Sequence, residues 1–186
     1  MELNEAIFGR RSIRDYLPDA VAREAITRLI DAAIQAPSAM NLQPWSFVVI
    51  QEQSLLDRIS HDAKTHLMSE RPVAGLPAHL DERLADANFQ LFYHAPVLIV
   101  ISAIAQGPWI VEDCALAAEN LMLAAHGVGL GCCWIGLAHA WLNTPKGKKT
   151  IGVPDAYVPV VPIIVGLPKA PAPAVSRNVP EVRWIG

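Results

Sequence analysis

Residues 37–45 read Pro-Ser-Ala-Met-Asn-Leu-Gln-Pro-Trp, and the organisation of the rest of the chain follows from them. They separate an amphipathic helical segment from residues 46–51, a β-branched apolar run typical of a strand. Pro37 and Pro44 fix φ and each removes an amide donor, so the segment predicts a rigid loop with available carboxamide and hydroxyl groups. A plain helix-to-strand connection with Trp45 packed on the core explains the loop equally well when it stands alone.

A second polar stretch, Arg10-Arg11-Ser12-Ile13-Arg14, lies one helix upstream of this loop. The guanidinium group suits phosphate because its planar fork donates to two oxygens at once and stays charged. A short arginine cluster is more commonly a solvated turn. Its occurrence together with the carboxamide loop is what favours a binding role.

The bulk composition limits the class of protein. A chain of 186 residues with 52% hydrophobic and 18% charged residues predicts one globular domain, residues 1–186, with apolar surface available for a partner subunit. A net charge of −3 gives no reason to expect nucleic acid or an acidic membrane as a partner. Three cysteines without a C-x-x-C pair, an acidic N-terminus and the lack of a long apolar run predict a cytoplasmic protein.

Hydrophobic periodicity predicts the secondary structure. Helices are expected at residues 2–8, from about 20 to 35, and at 54–69, 80–94, 110–126 and 144–151. Strands are expected at residues 46–51, 96–102 and 158–165, with a short apolar run at 132–136. Pro159 and Pro162 place the last strand near a sheet edge or a bulge, and residues 168–186 are expected to run extended over another surface. Together these elements predict an α+β fold, a mixed central sheet packed between helices.

The ordered pair of motifs, R-x-S-x-R followed by P-S-x-x-N-x-Q-P-W, resembles the FMN-dependent nitroreductase family. The resemblance extends over nearly the whole chain. It implies an intertwined homodimer with FMN in each of two interface clefts, and residues 168–186 packing on the partner subunit. Composition and periodicity alone do not give this assembly.

The resemblance also implies a set of cofactor contacts. Arg10 and Arg177 would contact the phosphate, with Arg11 and Ser12 beside them, and Arg14 would lie at the pyrimidine edge and stabilise the reduced flavin. The carboxamide loop would line the flavin of the other subunit through Pro37, Ser38, Ala39 and Asn41. The face and N5 edge of the ring would meet Trp134, Ile135, Gly136 and Leu137, although these residues also suit a buried strand end.

Two departures from the family pattern stand out. Val175 occupies the place of a second cation before Arg177. The mid-chain asparagine and lysine of many members have no clear counterpart, and the candidates are Lys64, Asn88 and Lys169. The segment Glu70 to Ala78 has no clear periodicity, and whether it forms a substrate lid stays open.

The resemblance implies a flavoenzyme in which NADH or NADPH delivers a hydride by a ping-pong mechanism to nitroaromatics, quinones or similar acceptors. Reductive dehalogenation or flavin breakdown on the same fold is one alternative, and a non-catalytic flavin-binding sensor or store is another. Competing motifs fail on spacing. The glycines of residues 127–131 follow a helix rather than a strand, residues 147–150 lack the upstream glycine of a phosphate loop, and no metal or G-x-S-x-G motif occurs.

Overall fold

The computed structural model describes residues 1–70 and 78–186. The α-helices are α1 (Leu3–Gly9), α2 (Arg23–Ala33), α3 (Gln53–Ser69), α4 (Ala78–Ala85), α5 (Ile110–Gly127), α6 (His139–Leu142) and α7 (Pro145–Ile151). The strands are β1 (Trp45–Ile50), β2 (Val97–Ala103), β3 (Gly131–Trp134) and β4 (Val158–Gly166), and single 3-10 turns span Ala39–Asn41 and Gly136–Ala138. The predicted segment Glu70 to Ala78 lies almost entirely outside the described residues.

The four strands form one sheet in the order β1-β2-β4-β3. Every pair of neighbouring strands is antiparallel. The parallel component expected of a mixed sheet is limited in the described residues to one isolated bridge between Ser12 and Cys132. This bridge extends the sheet beyond β3 with a segment from the N-terminus.

The prolines of β4 predicted either a sheet edge or a bulge, and the structure shows a bulge in an interior strand. The strand is interior, between β2 and β3, and not at an edge. The expected bulge is present, because the register against β2 shifts between Ile101 and Ser102, opposite Val161 and Pro159. The carbonyl of Pro162 accepts a bond of 2.8 Å from Ile135, one residue past the end of β3, so its missing amide falls where that ladder ends.

Helices cover both faces of the sheet and create two cores. Strand β2 is completely buried, and its alternate side chains enter the two cores in turn, as the period of a strand requires. Val97, Ile99 and Ile101 pack with α2 and α5. Leu98 and Val100 pack with residues of α3 and α6 on the other face. The predicted arrangement of a sheet between helical layers is therefore confirmed.

The predicted helix over residues 80–94 is wrong in its second half. Helix α4 ends at Ala85, and the chain then turns. The carboxyl group of Asp86 accepts a 2.9 Å bond from the amide of Asn88, an alternative to helical bonding that Asp offers readily. Further on, Tyr93 and His94 have φ of 51° and 55°, which no right-handed helix accommodates. The buried Ser60 hydroxyl accepts from the amide of Leu91 at 2.8 Å and fixes this turn on α3.

The C-terminal segment leaves the sheet at Pro168, which forms an isolated bridge with Tyr16. No helix or strand is assigned from residue 171 to 186, in agreement with the expected extended tail. Its large apolar side chains are exposed, Val179 by 94%, Trp184 by 92% and Ile185 by 98%. Among the described helices, none combines the length and the apolar character needed to cross a membrane.

Candidate functional site

The arginine-rich segment 10–14 lies against the outer edge of β3. Its Ile13 amide donates to the carbonyl of Cys132 at 3.0 Å, next to the parallel bridge formed by Ser12. Arg10, Arg11 and Ile13 line one cavity, and Arg14 lines another. We call residues 10–14 the cation segment.

The pKa values of the two thiols of β3 reflect the positive charge of the cation segment. Burial raises the pKa of the Cys133 thiol, and the Arg14 guanidinium and the Ser12 hydroxyl beside it oppose part of that shift. Burial also raises the pKa of Cys132 to about 12, with Arg10 lowering it in part. Both thiols therefore stay protonated and unreactive near neutral pH, while the arginines provide a positive field at this edge of the sheet.

Arg10 and Arg11 are held differently. The Nε of Arg10 lies 3.6 Å from a carboxyl oxygen of Glu119, a long pair whose acidic partner is half exposed. The guanidinium of Arg11 instead turns back to α1, where Nη1 donates to the carbonyls of Phe8 and Arg10 at 2.8 and 2.7 Å. Its buried Nε has no hydrogen-bond partner in the described chain. Arg10 is thus the more available of the two for an anion, and both border a cavity of about 290 Å³ that also meets His126, Gly131 and Pro168.

Directly after Cys132 and Cys133 comes the segment predicted to face a flavin ring. Trp134 is 37% exposed, whereas the side chain of Ile135 is buried. The amide of Ile135 already donates to Pro162, so it is not available to a ligand. Gly136 and Leu137 open a 3-10 turn, and amides in a first turn have no partner within it. The cation segment runs along β3 in the same direction, so Arg14 lies towards the end of the strand that residues 134–137 follow, and Arg10 lies towards its start.

The carboxamide loop, residues 37–44, lies elsewhere on the surface of the chain. It makes one 3-10 turn at Ala39–Asn41, and Met40, Asn41 and Gln43 have φ of 50°, 54° and 48°. Inside the loop, the Gln43 amide donates to the Ser38 hydroxyl at 2.9 Å and the Gln43 side chain donates to Asn41 Oδ1 at 3.2 Å. Within residues 1–70 and 78–186, no hydrogen bond or ion pair joins this loop to the cation segment.

A cavity of about 320 Å³ next to Arg14 contains the predicted candidate Asn88 together with residues that the sequence did not single out. It is lined by Asn88 and Gln90 from the turn after α4, and by Arg83 from α4 itself. The Arg83 guanidinium carbon stacks 4.6 Å from the ring centroid of Phe89 and 5.4 Å from that of Tyr93. In the sequence, the carboxamides of Asn88 and Gln90 follow a short helix. Because that helix was predicted to continue to His94, they were not recognised as residues of a turn.

The structure separates the three mid-chain candidates. Asn88 lies in the cavity with Arg14. Lys64 is engaged in structure, because its ammonium group donates to the carbonyls of Asp86 and Phe89. Lys169 lies 3.9 Å from the carboxyl group of Asp15 in an exposed pair.

Arg177 is not brought to the site by its own chain. It lies in the exposed tail and has no ion pair or hydrogen bond among the described residues. The resemblance assigns Arg10 and Arg177 to one phosphate. In this chain, Arg10 is held in the cation segment against β3, whereas Arg177 lies in the exposed tail.

The model of the nitroreductase family matches residues 7–167, and the chain belongs to this family. Its α+β architecture, with helices on both faces of the sheet, is the nitroreductase fold.

Three similar proteins place the chain within this family. A protein of Methanothermobacter thermautotrophicus provisionally named NADH dehydrogenase/NAD(P)H nitroreductase is 30% identical over 172 residues, covering 90% of this chain and 78% of its own. An iodotyrosine deiodinase of Thermotoga neapolitana is 25% identical over 94% of this chain and 93% of its own. The crystal structure of a nitroreductase with bound FMN from Bacteroides fragilis matches with a TM-score of 0.86 at 25% identity, over 100% of both chains.

Proposed function

We propose that this chain is an FMN-dependent oxidoreductase that uses NADH or NADPH to reduce nitroaromatics, quinones or similar electron-poor acceptors. The observation that carries the proposal is the course of the cation segment along the outer edge of β3, with Arg10 bordering one cavity and Arg14 bordering another together with Asn88. Membership of the nitroreductase family and the FMN named in the Bacteroides fragilis structure support it.

The donor set fits FMN. A dianionic phosphate needs cations and hydrogen-bond donors, and Arg10 offers a guanidinium group at the cavity that it shares with Arg11, with the Ser12 hydroxyl two residues further along. The polar edge of the ring needs groups that donate and accept, which the carboxamides of Asn88 and Gln90 provide next to Arg14. The half-exposed Trp134 and the first-turn amides of Gly136 and Leu137 provide a flat surface with donors at its border.

The residues of this chain bind and orient, and Arg14 adds a fixed positive charge. The bound cofactor would supply the hydride chemistry between a reduced nicotinamide and an electron-poor acceptor. The positive charge of the Arg14 guanidinium is in place before negative charge develops nearby, so it needs no reorganisation. Positioning and electrostatics, without an acid–base side chain, account for catalysis in this proposal.

We propose further that the active form is a homodimer in which the carboxamide loop and the tail complete the cleft of the other subunit. The exposed apolar side chains support this assembly. They lie on α1 (Leu3, Ile7 and Phe8), on α5 (Val111 and Leu116) and in the tail (Val179, Trp184 and Ile185). Apolar surface of this extent is characteristic of an interface. Pro37, Ser38, Ala39 and Asn41 would then line the flavin of the partner, and Arg177 would reach its phosphate.

The test is spectroscopic. Purified protein reconstituted with FMN is mixed anaerobically with NADH or NADPH, and the flavin absorption is followed. Bleaching by a nicotinamide and recovery with a nitroarene or a quinone supports the proposal. Bound FMN that neither nicotinamide reduces contradicts the oxidoreductase and favours a sensor or store, and failure to bind FMN contradicts both.

The similarity to an iodotyrosine deiodinase supports one further reaction for the same site, reductive dehalogenation. It is assayed on the dithionite-reduced holoprotein with a halogenated phenol, by measuring released halide. Halide release at a rate below that of nitroarene reduction is expected. A faster release would make dehalogenation the main activity.

A further inference from the structure

One ionisable side chain is buried without an obvious reason. Asp113 lies in the first turn of α5 and is only 4% exposed. No salt bridge to it occurs within the described residues. Its Oδ1 accepts a 2.8 Å hydrogen bond from the backbone amide of Ala39, 74 residues earlier in the chain. A buried carboxyl group is costly unless it is bonded, so this contact requires an explanation.

The contact reaches a strained segment. Met40, Asn41 and Gln43 of the carboxamide loop all have left-handed backbone angles, although none of them is glycine. Asparagine tolerates this region, but an unbranched side chain such as that of Met40 does not favour it. Met40 is also 82% exposed, so packing of its side chain does not impose the conformation. Strain of this kind persists where the surrounding structure holds it and where function uses it.

Two hydrogen bonds in the described chain fix the loop to the rest of the molecule. At its end, the carbonyl of Pro44 accepts a 2.8 Å bond from the amide of Ile104. At the start of its turn, the amide of Ala39 donates to Asp113. The other bonds, such as Leu42 to Ala39 and Gln43 to Ser38, are internal to the loop and cannot orient it.

The position of Asp113 suits this task. The first turn of a helix favours negative charge, because its backbone amides point outward without partners. The first turn therefore favours the carboxyl group without a cation, and Asp113 lines a cavity of about 300 Å³ together with Met40 and Trp109. The Ala39 amide thus donates to an acceptor that is held in the first turn of an 18-residue helix.

We propose that Asp113 is a positioning residue: by accepting the Ala39 amide, it holds the carboxamide loop in the left-handed conformation in which Asn41 and Ala39 line the cofactor cleft. The role in the cleft rests on the proposed function. The anchoring of the loop does not, and it is measured without any cofactor.

The first measurement is amide hydrogen exchange in the protein without FMN. In the unaltered chain, the Ala39 amide is expected to exchange at least 100-fold more slowly than an unstructured amide. Asp113→Ala is expected to speed exchange of the Ala39 and Leu42 amides at least tenfold. Asp113→Asn keeps an oxygen acceptor of the same shape and is expected to stay within threefold of the parent.

The matched control is Thr144→Ala. Thr144 also accepts a backbone amide, that of Gly147 at 3.0 Å, and also caps a helix start, but it lies on α7 away from the loop. Its removal is expected to lower the free energy of unfolding by a similar amount and to leave exchange in residues 38–44 unchanged. An unprotected Ala39 amide in the unaltered chain overturns the proposal even if Asp113→Ala does not fold.

The second measurement is the Kd for FMN, by quenching of flavin fluorescence. Asp113→Ala is expected to raise it at least tenfold, with Asp113→Asn and Thr144→Ala within threefold of the parent. Faster loop exchange with an unchanged Kd overturns the role in the cleft. If the unaltered chain fails to bind FMN, the proposed function is wrong, and the exchange data still decide whether Asp113 anchors the loop.

Discussion

The cation segment and the C-terminal tail both carry arginines assigned to one phosphate, but the chain builds them in opposite ways. Residues 10–14 are bridged to β3, hydrogen-bonded to Cys132 and surrounded by buried thiols. Residues 171–186 are exposed, and Arg177 has no partner among the described residues. Under the proposed function, one half of the binding site is preorganised by contacts within the subunit, whereas the other half would depend on the partner subunit.

Removal of residues 173–186 tests this comparison with the largest expected effect. Residues 173–186 are exposed and belong to no helix or strand. The shortened chain is therefore expected to fold with an unchanged far-UV circular dichroism spectrum. It is expected to be monomeric in sedimentation and to bind FMN at least 100-fold more weakly, because Trp184 and Ile185 no longer bury apolar surface on a partner.

The control for the truncation is Glu181→Ala. It breaks the exposed pair of Glu181 with Arg183, 2.7 Å apart, which contributes at most about 1 kcal/mol. Dimerisation and FMN affinity are expected to stay within twofold of the parent. A truncated chain that remains dimeric and retains FMN would show that the tail has no part in assembly.

Arg10→Ala tests the preorganised half. Loss of a charge-assisted hydrogen bond to phosphate costs about 1.5–3 kcal/mol, so the Kd for FMN is expected to rise about 10- to 150-fold. The exposed Arg23 of α2 provides the control Arg23→Ala, which removes the same charge without an expected effect. An Arg177→Ala variant of equal effect would place both arginines on one phosphate, and an Arg10→Ala variant that keeps its FMN through dialysis contradicts the assignment.

Alkaline pH is expected to lower the stability of the folded chain, in part through Cys132. The pKa of Cys132 is about 12 in the folded protein and near its ordinary value of 9 in the unfolded chain. The unfolded state therefore binds fewer protons in this interval, and Cys132 alone is expected to lower the free energy of unfolding by about 1.4 kcal/mol per pH unit as the pH rises from about 9 towards 12. Cys114 and Cys133, whose pKa values burial also raises, add to the slope. Urea unfolding at several pH values measures the slope. Cys132→Ala is expected to lower it by one proton, and an unchanged slope contradicts the shift.

Asn88→Ala has the smallest expected effect and tests whether the preorganised half of the site includes the cavity beside Arg14. A neutral hydrogen bond contributes about 0.5–1.5 kcal/mol, so the Kd for FMN is expected to rise about 2- to 13-fold. Gln53→Ala serves as the control, because Gln53 is an exposed carboxamide on α3 bonded to Asp57. Equal effects of the two variants would remove Asn88 from the site.

Local sequence signals predicted the elements better than their arrangement. The apolar run of β2 and the amphipathic α2 were predicted, because periodicity acts over a few residues. The prolines of β4 predicted an edge or a bulge, and the sequence did not decide between them because the bulge depends on pairing with a distant strand.

The candidate site divides in the same way. The cation segment and the carboxamide loop were found from their residue types, and the resemblance supplied their roles. Asn88 was named only as one of three candidates, and the turn that carries it and Gln90 was not predicted, because the Ser60 hydroxyl that fixes this turn is 31 residues from Leu91 in the chain. The hydrogen bond between Asp113 and Ala39 joins residues 74 positions apart in the chain, and no local sequence pattern predicts it.

The glycines of β3 and β4 leave room for the N-terminal segment. Gly131 and Gly166 face each other in the ladder, and a Cβ at either would collide with its neighbours. At Gly131 it would come within 2.7 Å of Ile13, and at Gly166 within 2.8 Å of Tyr16. The first arginines of the chain therefore depend for their position on two residues without side chains, in strands that lie far along the sequence.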